Sequence, residues 1–220
     1  MEYDYKFKIG IIGDCNVGKS SLIKREVYGD FSDIYYKTIA IEYYSKVKKM
    51  RDKVILLDIW ELSGNPSYIE LAKAYLTHVQ GIILIYDVTN KESFKNITKW
   101  IKLIEEIRTN NITYMLLANK IDKKEDRVVK LTEGIKFSLK KKIVYFEVSA
   151  LKNITMDFLN IITNYLIDDN CLDNSIEDGI IEDNIIEENK MASIDISKNK
   201  KEQKKIKEKE RVKWCNCCFM

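Results

Sequence analysis

The sequence predicts an α/β layered fold built on a mostly parallel β-sheet. Three observations predict it: short apolar runs recur along the chain, amphipathic stretches lie between them, and one segment alternates apolar with polar residues. Such runs are typical of strands that are buried on both faces of a parallel sheet, whereas the alternation is typical of an edge strand. Because ligands of these folds bind beyond the carboxyl ends of the strands, we expect the functional residues in the loops that follow them.

The expected elements follow one another between residues 5 and 167. The expected buried strands are residues 8–12, 53–57, 82–86, 114–118 and 143–146. Residues 39–47 suit an edge strand, for which an antiparallel partner is one option. The amphipathic stretches 93–108 and 153–166 are expected to be helices.

Composition and charge exclude several classes of protein. The 220 residues suffice for one core and a tail, and 45% hydrophobic with 32% charged residues is ordinary for a soluble domain. A formal net charge of +3 gives no strong basic field for nucleic acid. The sequence has no apolar run of about 18 residues, no signal-peptide core and no disulfide framework. We therefore expect a cytosolic chain that does not bind nucleic acid.

Charge separates the end of the chain from the rest. Residues 168–190 contain nine acidic residues and one basic residue, a net charge of −8, whereas residues 198–213 contain nine basic and three acidic residues, a net charge of +6. Neither stretch has the apolar periodicity of a core element. We therefore predict a folded domain over residues 1–167, a disordered tail over 168–214 that is first acidic and then basic, and a C-terminal motif over 215–220.

A glycine-rich loop follows the first expected strand and precedes a helix. It reads GxxxxGKS and comprises Gly13, Asp14, Cys15, Asn16, Val17, Gly18, Lys19 and Ser20, with Ser21 next to it. In this setting backbone N–H groups and a helix N-terminus form a nest for phosphate anions. Lys19 is expected to neutralise the β- and γ-phosphates, and the Ser20 hydroxyl is expected to bind Mg²⁺. By itself the loop predicts a nucleotide-binding protein.

Two further motifs, each at a strand end, indicate guanine as the base. Asn119, Lys120 and Asp122 form an NKxD motif, and the Asp122 carboxylate is expected to accept hydrogen bonds from N1–H and the exocyclic amine of guanine. Adenine offers no such pair of donors and would leave the carboxylate unpaired. The aliphatic stem of Lys120 is expected to lie along the base. Ser149 and Ala150 follow the last strand, and the Ala150 N–H is expected to meet the guanine O6.

These motifs, in this order, resemble those of the small GTPases of the Ras superfamily and, within it, the Rab family. The resemblance covers residues 5–167 and the C-terminal cysteines. The most Rab-like stretches are residues 38–43, 84–90, 92–94 and 96–100. The resemblance implies the P-loop NTPase fold of small G proteins, with a six-stranded mostly parallel sheet and about five helices. It also implies GTP and GDP as ligands, Mg²⁺ as the accompanying ion, and GTP hydrolysis as the activity.

The resemblance implies two nucleotide-sensing loops, switch I at about residues 31–42 and switch II at about residues 61–78. By match to the family, Thr38 binds Mg²⁺ and senses the γ-phosphate, and Phe31 packs edge-on against the base. The other nucleotide contacts implied by the resemblance are Tyr35, Gly64 and Leu151.

Switch II departs from the Rab pattern at two positions that matter for chemistry. Glu61 stands where the family has an Asp that holds a Mg²⁺-bound water; we assign it that water-mediated role, although its extra carbon means that it must retract or displace the water. Asn65 stands where the family has a Gln that orients the attacking water. We give Asn65 and Gly64 the catalytic role, although the Asn65 amide falls one carbon short. Because Pro66 also biases Asn65 towards extended backbone geometry, we expect slow intrinsic hydrolysis.

Three smaller departures concern the loops that hold the nucleotide. Cys15 and Asn16 stand where Rab proteins usually have Ser and Gly. Asn tolerates a positive φ better than other non-glycine residues, so the phosphate loop is still expected to form. Leu151 replaces the usual Lys, which weakens one contact beside the base.

The C-terminus predicts a lipid anchor. Cys217 and Cys218 resemble the double-cysteine ends of Rab proteins and satisfy the prenylation pattern, with Cys215 nearby. The basic residues of 198–213 add about 1 kcal/mol per net charge near an anionic leaflet, and one lipid plus such a patch, or two lipids, hold a chain on a membrane. We therefore expect geranylgeranyl groups on Cys217 and Cys218, and a chain shared between the cytosol and the cytoplasmic face of an intracellular membrane.

The function implied is that of a switch in vesicle trafficking whose GTP form recruits effectors to a membrane. The implied partners are an exchange factor, a GTPase-activating protein, Rab effectors, and prenyl-delivery and GDP-dissociation-inhibitor proteins, and we expect a monomer. Tyr43, Trp60 and Tyr75 fall where Rab proteins keep an aromatic triad that effectors contact, with core packing as the other explanation. Two alternatives remain: a GTP-binding membrane scaffold that does not hydrolyse, and, more remotely, a P-loop kinase or ATPase, which Asn119 and Asp122 disfavour.

Overall fold

The computed structural model describes residues 2–32, 37–107 and 112–173, with the backbone alone for residues 170–173. The strands are β1 (Tyr5–Ile12), β2 (Ile41–Met50), β3 (Lys53–Leu62), β4 (Gly81–Asp87), β5 (Thr113–Asn119) and β6 (Val144–Glu147). The helices are α1 (Lys19–Tyr28), α2 (Ile69–Leu76), α3 (Lys91–Ile107), α4 (Leu131–Lys141) and α5 (Phe158–Asp173), with a 3₁₀ turn over Pro66–Tyr68 before α2. Tyr35, most of the predicted tail and the predicted lipid sites Cys217 and Cys218 lie outside the described residues.

The strands form one sheet in the order β2-β3-β1-β4-β5-β6. β1 pairs in parallel with β3 and β4, and the parallel pairing continues through β5 to β6. β2 pairs antiparallel with β3, which is the option left open for the edge strand. The described ranges contain this six-stranded sheet and five α-helices, so the predicted fold class is confirmed.

The apolar runs occupy the buried centre of the sheet. All seven residues of β4 are buried, and its alternate side chains enter two different apolar clusters. Ile83 packs in the cluster that contains Leu22 of α1 and Phe158 of α5, whereas Leu84 packs in the cluster that contains Ile97 of α3. Helices therefore cover both faces of the sheet, and the carboxyl ends of β1, β4, β5 and β6 remain free to carry loops.

The bounds of the edge strand differ from the predicted residues 39–47. β2 starts at Ile41, because Ala40 has a φ of 59° and the backbone is not extended there. It reaches Met50, since its ladder with β3 continues to the pair Met50–Lys53. The interpretation of this segment as an edge strand is correct, but its limits were set by strand pairing rather than by its own pattern.

The last helix corrects a prediction. A helix over residues 153–166 was expected, but Asn153, Met156 and Asp157 have φ values of 55°, 54° and 48°, which interrupt a right-handed helix. Residue 154 instead forms a backbone bridge with Ser149. The helix therefore begins at Phe158 and continues to Asp173. In the part of the chain that the structure describes, no helix has the length and apolar character needed to cross a membrane.

Candidate nucleotide-binding site

The phosphate loop lies between the carboxyl end of β1 and the start of α1, as predicted. Gly18 has a φ of +92°, and a Cβ at this position would lie 2.3 Å from Nδ2 of Asn119. A side chain is therefore excluded both by backbone conformation and by the close approach of the base loop. Asn16 has a φ of 61°, a left-handed value that Asn accepts at low cost.

Lys19 lies inside this loop. Its Nζ donates hydrogen bonds to the carbonyl oxygens of Gly13 at 3.0 Å and Asp14 at 2.8 Å, and the side chain is buried. Burial lowers the pKa of the Lys19 ammonium group, and the nearby Glu61 carboxylate opposes that change. A buried cation surrounded by backbone groups is stabilised by an anion placed against it, so the loop is suited to phosphate.

The predicted cation ligands Ser20 and Thr38 meet Glu61, which was predicted to act through a water, beside Lys19. Ser20 Oγ donates to Glu61 Oε1 at 2.6 Å, and Thr38 Oγ1 donates to the same oxygen at 3.2 Å. The two hydroxyl oxygens lie 3.2 Å apart. Hydroxyl and carboxylate oxygens are the ligands that Mg²⁺ prefers, and adjacent ligands of an octahedral Mg²⁺ are about 3 Å apart, so these residues fit the ion.

Glu61 is held firmly in this cluster. It is 1% exposed, and Tyr44 OH donates to its Oε2 at 3.3 Å. Burial raises the pKa of the Glu61 carboxyl group, while the hydrogen bond from Ser20 and the charge of Lys19 act in the opposite direction. The longer side chain thus reaches the two hydroxyls directly instead of folding away from them.

Asn119 joins the phosphate loop to the loop after β6. It is 1% exposed, its Nδ2 donates to the Val17 carbonyl oxygen at 2.8 Å, and its Oδ1 accepts from the Ala150 N–H at 3.4 Å. The Lys120 ammonium group donates to the Asn16 carbonyl oxygen at 2.6 Å and lies 2.7 Å from a carboxylate oxygen of Asp87. The base motif and the phosphate loop are therefore one connected unit.

The Asp122 carboxylate, which is predicted to contact the base, is positioned by a hydrogen bond of its own. Ser149 Oγ donates to Asp122 Oδ1, and Ser149 in turn accepts from the Lys152 N–H at 3.0 Å. Leu151 is 46% exposed at the rim of this loop. The structure thus brings together the predicted base contacts Asn119, Asp122 and Ser149 at the ends of β5 and β6.

On the switch I side, Phe31 lies beside an arginine that the sequence did not single out. The Arg25 guanidinium lies 5.0 Å from the centre of the Phe31 ring, and Arg25 Nε donates to the Ala150 carbonyl oxygen at 3.2 Å. Arg25 therefore links the end of α1 to both the base loop and the aromatic side chain that was predicted to cover the base.

Switch II rests on the phosphate loop at Gly64. A Cβ at Gly64 would lie 2.3 Å from the Asp14 carbonyl carbon and 2.4 Å from the Cys15 nitrogen, so a side chain cannot be accommodated in this arrangement. Asn65 follows with φ −83° and ψ 122°, the extended geometry expected before Pro66. Its Oδ1 accepts from the Ser67 N–H at 3.1 Å and caps the 3₁₀ turn.

A contact from α3 was also missed by sequence reasoning. Asn96 Nδ2 donates to Asp14 Oδ2 at 2.7 Å, and Trp100 Nε1 donates to Asp14 Oδ1 at 2.8 Å. The only available signal was that both residues lie in a Rab-like stretch, which says nothing of a role. Their spacing of four residues places them on one face of a helix, but no pattern in the sequence connects them with Asp14.

The predicted aromatic triad forms a continuous surface cluster. The ring centres of Tyr43 and Trp60 are 4.7 Å apart, and those of Trp60 and Tyr75 are 5.0 Å apart. Tyr43 is 48% exposed and Tyr75 38% exposed, so these rings do not serve core packing alone. Tyr43 OH also donates to Asp58 Oδ1 at 2.6 Å, which fixes the orientation of its ring.

Comparison with known proteins identifies the family of the chain. Residues 8–166 match the model of the Ras family. The chain belongs to the Ras family. It is 39% identical over 150 residues to the Ras-related protein Rab-1 of Theileria parva, covering 68% of each chain. It is 35% identical over 164 residues to the Ras-related protein Rab-11A of Dictyostelium discoideum, covering 74% of this chain and 77% of that one.

A third relative, the Ras-related protein Rab-10 of Diplobatis ommata, is 36% identical over 155 residues, which cover 70% of this chain and 78% of that one. Members of the Ras and Rab families are GTPases that bind guanine nucleotides. This chain is accordingly a guanine-nucleotide-binding protein of the GTPase class, with regulators and effectors among its partners.

Proposed function

We propose that this protein is a Rab-type switch in membrane trafficking that binds GTP and GDP with Mg²⁺ and hydrolyses GTP slowly by itself. Lys19 and the phosphate loop hold the phosphates, and Asp122 reads the guanine base. Ser20, Thr38 and Glu61 hold Mg²⁺, which neutralises phosphate charge. In the GTP form, the protein recruits effectors to the cytoplasmic face of an intracellular membrane, to which Cys217 and Cys218 anchor it through prenyl groups.

The proposed partners follow from the same role. An exchange factor loads GTP, a GTPase-activating protein accelerates its hydrolysis, and effectors contact the cluster of Tyr43, Trp60 and Tyr75. Prenyl-delivery and GDP-dissociation-inhibitor proteins handle the lipid-bearing C-terminus, and the basic residues of 198–213 contact an anionic leaflet.

Slow hydrolysis is supported by one observation, the hydrogen bond from the Ser67 N–H to Asn65 Oδ1 at 3.1 Å. A side chain that orients the attacking water must offer its amide to that water. In this protein the amide oxygen caps the 3₁₀ turn, and leaving the cap costs about 1 kcal/mol. The shorter side chain and its engagement in the cap both reduce its use in catalysis.

Single-turnover GTP hydrolysis tests this proposal, with the parent protein and three variants at position 65. Asn65→Gln restores the reach of the amide, and we expect the rate to rise tenfold or more, because a positioned group of this kind contributes roughly a hundredfold. Asn65→Asp retains the cap but lacks the amide N–H₂ group, and we expect no change in rate. Asn65→Ala loses the cap, and we expect an unchanged rate with a protein destabilised by about 1 kcal/mol.

Two results would contradict the proposal. If Asn65→Ala slows hydrolysis severely, then Asn65 is itself catalytic in spite of the cap. If the parent hydrolyses GTP as fast as ordinary Rab proteins and Asn65→Gln leaves the rate unchanged, then position 65 does not limit turnover.

The same cap also favours a second candidate function, a GTP-locked membrane scaffold that does not cycle. The switch and the scaffold differ in whether a GTPase-activating protein can stimulate GTP hydrolysis. We expect a GTPase-activating domain that supplies its own arginine and glutamine to release phosphate from the GTP-loaded protein. If bound GTP instead survives long incubation with Mg²⁺ and this domain, the scaffold is the better description.

A further inference from the structure

We propose that Asn96 and Trp100 of α3 are positioning residues for nucleotide binding, which set the conformation of the phosphate loop through the Asp14 carboxylate. This inference rests on the proposed function, since it assigns to α3 a part in holding the nucleotide at the same site. It concerns a contact that lies outside the motifs by which the site is defined.

The Asp14 carboxylate is held at both of its oxygens. The two oxygens of Asp14 each accept one hydrogen bond, Oδ2 from Asn96 Nδ2 at 2.7 Å and Oδ1 from Trp100 Nε1 at 2.8 Å. Both distances are those of good hydrogen bonds to an ionised acceptor. Because the two donors come from adjacent turns of one helix, they fix the position of the carboxylate and the plane in which it lies.

The helix that carries the two donors is itself anchored in the core. Ile97, Ile101 and Ile104 of α3 are buried against the sheet, and they lie between and after the two donors along the helix. Trp100 is partly buried and packs against the same apolar cluster. The donors therefore belong to the rigid core of the domain, whereas Asp14 belongs to a loop.

The Asp14 backbone in turn contacts both Lys19 and switch II. Its carbonyl oxygen accepts from Lys19 Nζ at 2.8 Å, and its carbonyl carbon is where a Cβ on Gly64 would collide, at 2.3 Å. A shift of Asp14 would thus move the carbonyl that orients the phosphate-binding ammonium group and the surface on which switch II rests. Through this one residue, α3 is connected to both phosphate sensing and switch II.

One unfavourable feature supports a specific role for Asn96. Its Oδ1 is buried and has no hydrogen-bond partner within the described part of the chain. A buried unpaired acceptor is destabilising, so an apolar side chain at this position would be expected if α3 merely packed against the loop. The presence of an amide here is explained by its Nδ2, which donates a hydrogen bond to Asp14 Oδ2.

Release of a fluorescent GDP analogue tests the proposal with Trp100→Phe and Asn96→Ala. Trp100→Phe keeps an aromatic ring but removes the N–H, and Asn96→Ala removes the second donor. Since each removes a hydrogen bond to a charged group, we expect release to accelerate roughly ten- to a hundredfold in each variant. Lys102→Ala, an exposed position of the same helix, serves as the matched control and should release the analogue at the parent rate.

The readout that a merely structural role would not give is dependence on Asp14. In an Asp14→Ala background, Trp100→Phe should cause no further acceleration, although it still lowers the thermal midpoint by removing packing. If release is unchanged in both single variants, or if the acceleration by Trp100→Phe persists in the Asp14→Ala background, the proposal is overturned. If Trp100→Phe does not fold, the same comparison with and without the Asp14 carboxylate is made with Asn96→Ala. If the parent protein does not bind the analogue at all, the proposed function itself fails. If the parent binds normally and the variants release the analogue at the parent rate, only the role of Asn96 and Trp100 fails.

Discussion

The bridge formed by Asn119 allows a prediction whose size follows from the structure. Asn119→Ala removes the donor to the Val17 carbonyl oxygen and the acceptor for the Ala150 N–H. Val17 is 1% exposed and Ala150 5% exposed, so water has little access to either group once the amide is gone. The substitution should therefore uncouple the phosphate loop from the loop that reads the base.

The magnitude is set by the two lost hydrogen bonds. A buried carbonyl left without its partner costs about 1–3 kcal/mol, and the bond to Val17 has a short donor–acceptor distance of 2.8 Å. The bond from Ala150 is longer, at 3.4 Å, and we count less than 1 kcal/mol for it. The sum is roughly 2–3 kcal/mol, which corresponds to a 30- to 150-fold faster release of GDP if the whole loss falls on the nucleotide-bound state.

The assay is the dissociation rate of a fluorescent GDP analogue, followed by competition with excess GDP. Urea unfolding of the same samples shows how much of the loss falls on the fold instead. Asn119→Asp is the matched control, because it keeps an acceptor for the Ala150 N–H but replaces the donor to Val17 by an oxygen. We expect Asn119→Asp to release GDP at least as fast as Asn119→Ala.

Two results would refute this reasoning. A release rate in Asn119→Ala within a few-fold of the parent, with unchanged unfolding by urea, would show that the bridge does not support nucleotide binding. A parent-like rate in Asn119→Asp would show that the donor to Val17, which we count as the larger contribution, is not the one that matters.

Two further predictions concern pH and the membrane. Burial, with the neighbouring Asp157 carboxylate, raises the pKa of Glu26 from 4.5 to about 7, so the folded protein holds this proton where the unfolded chain has lost it. Stability should therefore fall as pH rises from about 5 to about 7, and Glu26→Gln should flatten this dependence in urea unfolding at both pH values; an equal fall in the variant would contradict this prediction. Replacing Cys217 and Cys218 with Ser should move the protein from the membrane pellet of eukaryotic cells to the supernatant, and continued sedimentation would exclude the prenyl anchor.

Much of the fold was predictable because its determinants are local. Short runs that are apolar and buried throughout form residues 9–12 of β1, 81–86 of β4 and 115–118 of β5. Runs buried on both faces of a sheet can be recognised from their apolar character alone. The phosphate loop and the NKxD motif were predictable for a related reason, since each places its chemistry within a few consecutive residues at a strand end. Pro66 likewise acts on its immediate neighbour, and Asn65 has the extended backbone expected.

What could not be predicted depends on contacts between distant parts of the chain. The donors on Asn96 and Trp100 are 82 and 86 residues from Asp14, and Arg25 is 125 residues from Ala150. Each pair meets only because the parallel sheet brings successive strand ends and helix ends to one edge. The prediction of where α5 begins was wrong for a different reason. The apolar spacing of residues 153–166 continues through a turn, and the left-handed residues of that turn carry no strong sequence signal.

The arrangement of these contacts bears on how binding and hydrolysis can vary independently in this protein. The residues that hold the nucleotide form hydrogen bonds with distant parts of the domain: Asn119 bonds to Val17, and Asp14 bonds to α3. The Asn65 side chain, by contrast, accepts a hydrogen bond from the Ser67 N–H within its own turn. Since the two sets share no hydrogen bond among the described residues, a substitution at position 65 should leave nucleotide release unchanged, and its effects should add to those at Asn119. The local cap thus gives a physical reason why a divergent switch II is compatible with an intact nucleotide site.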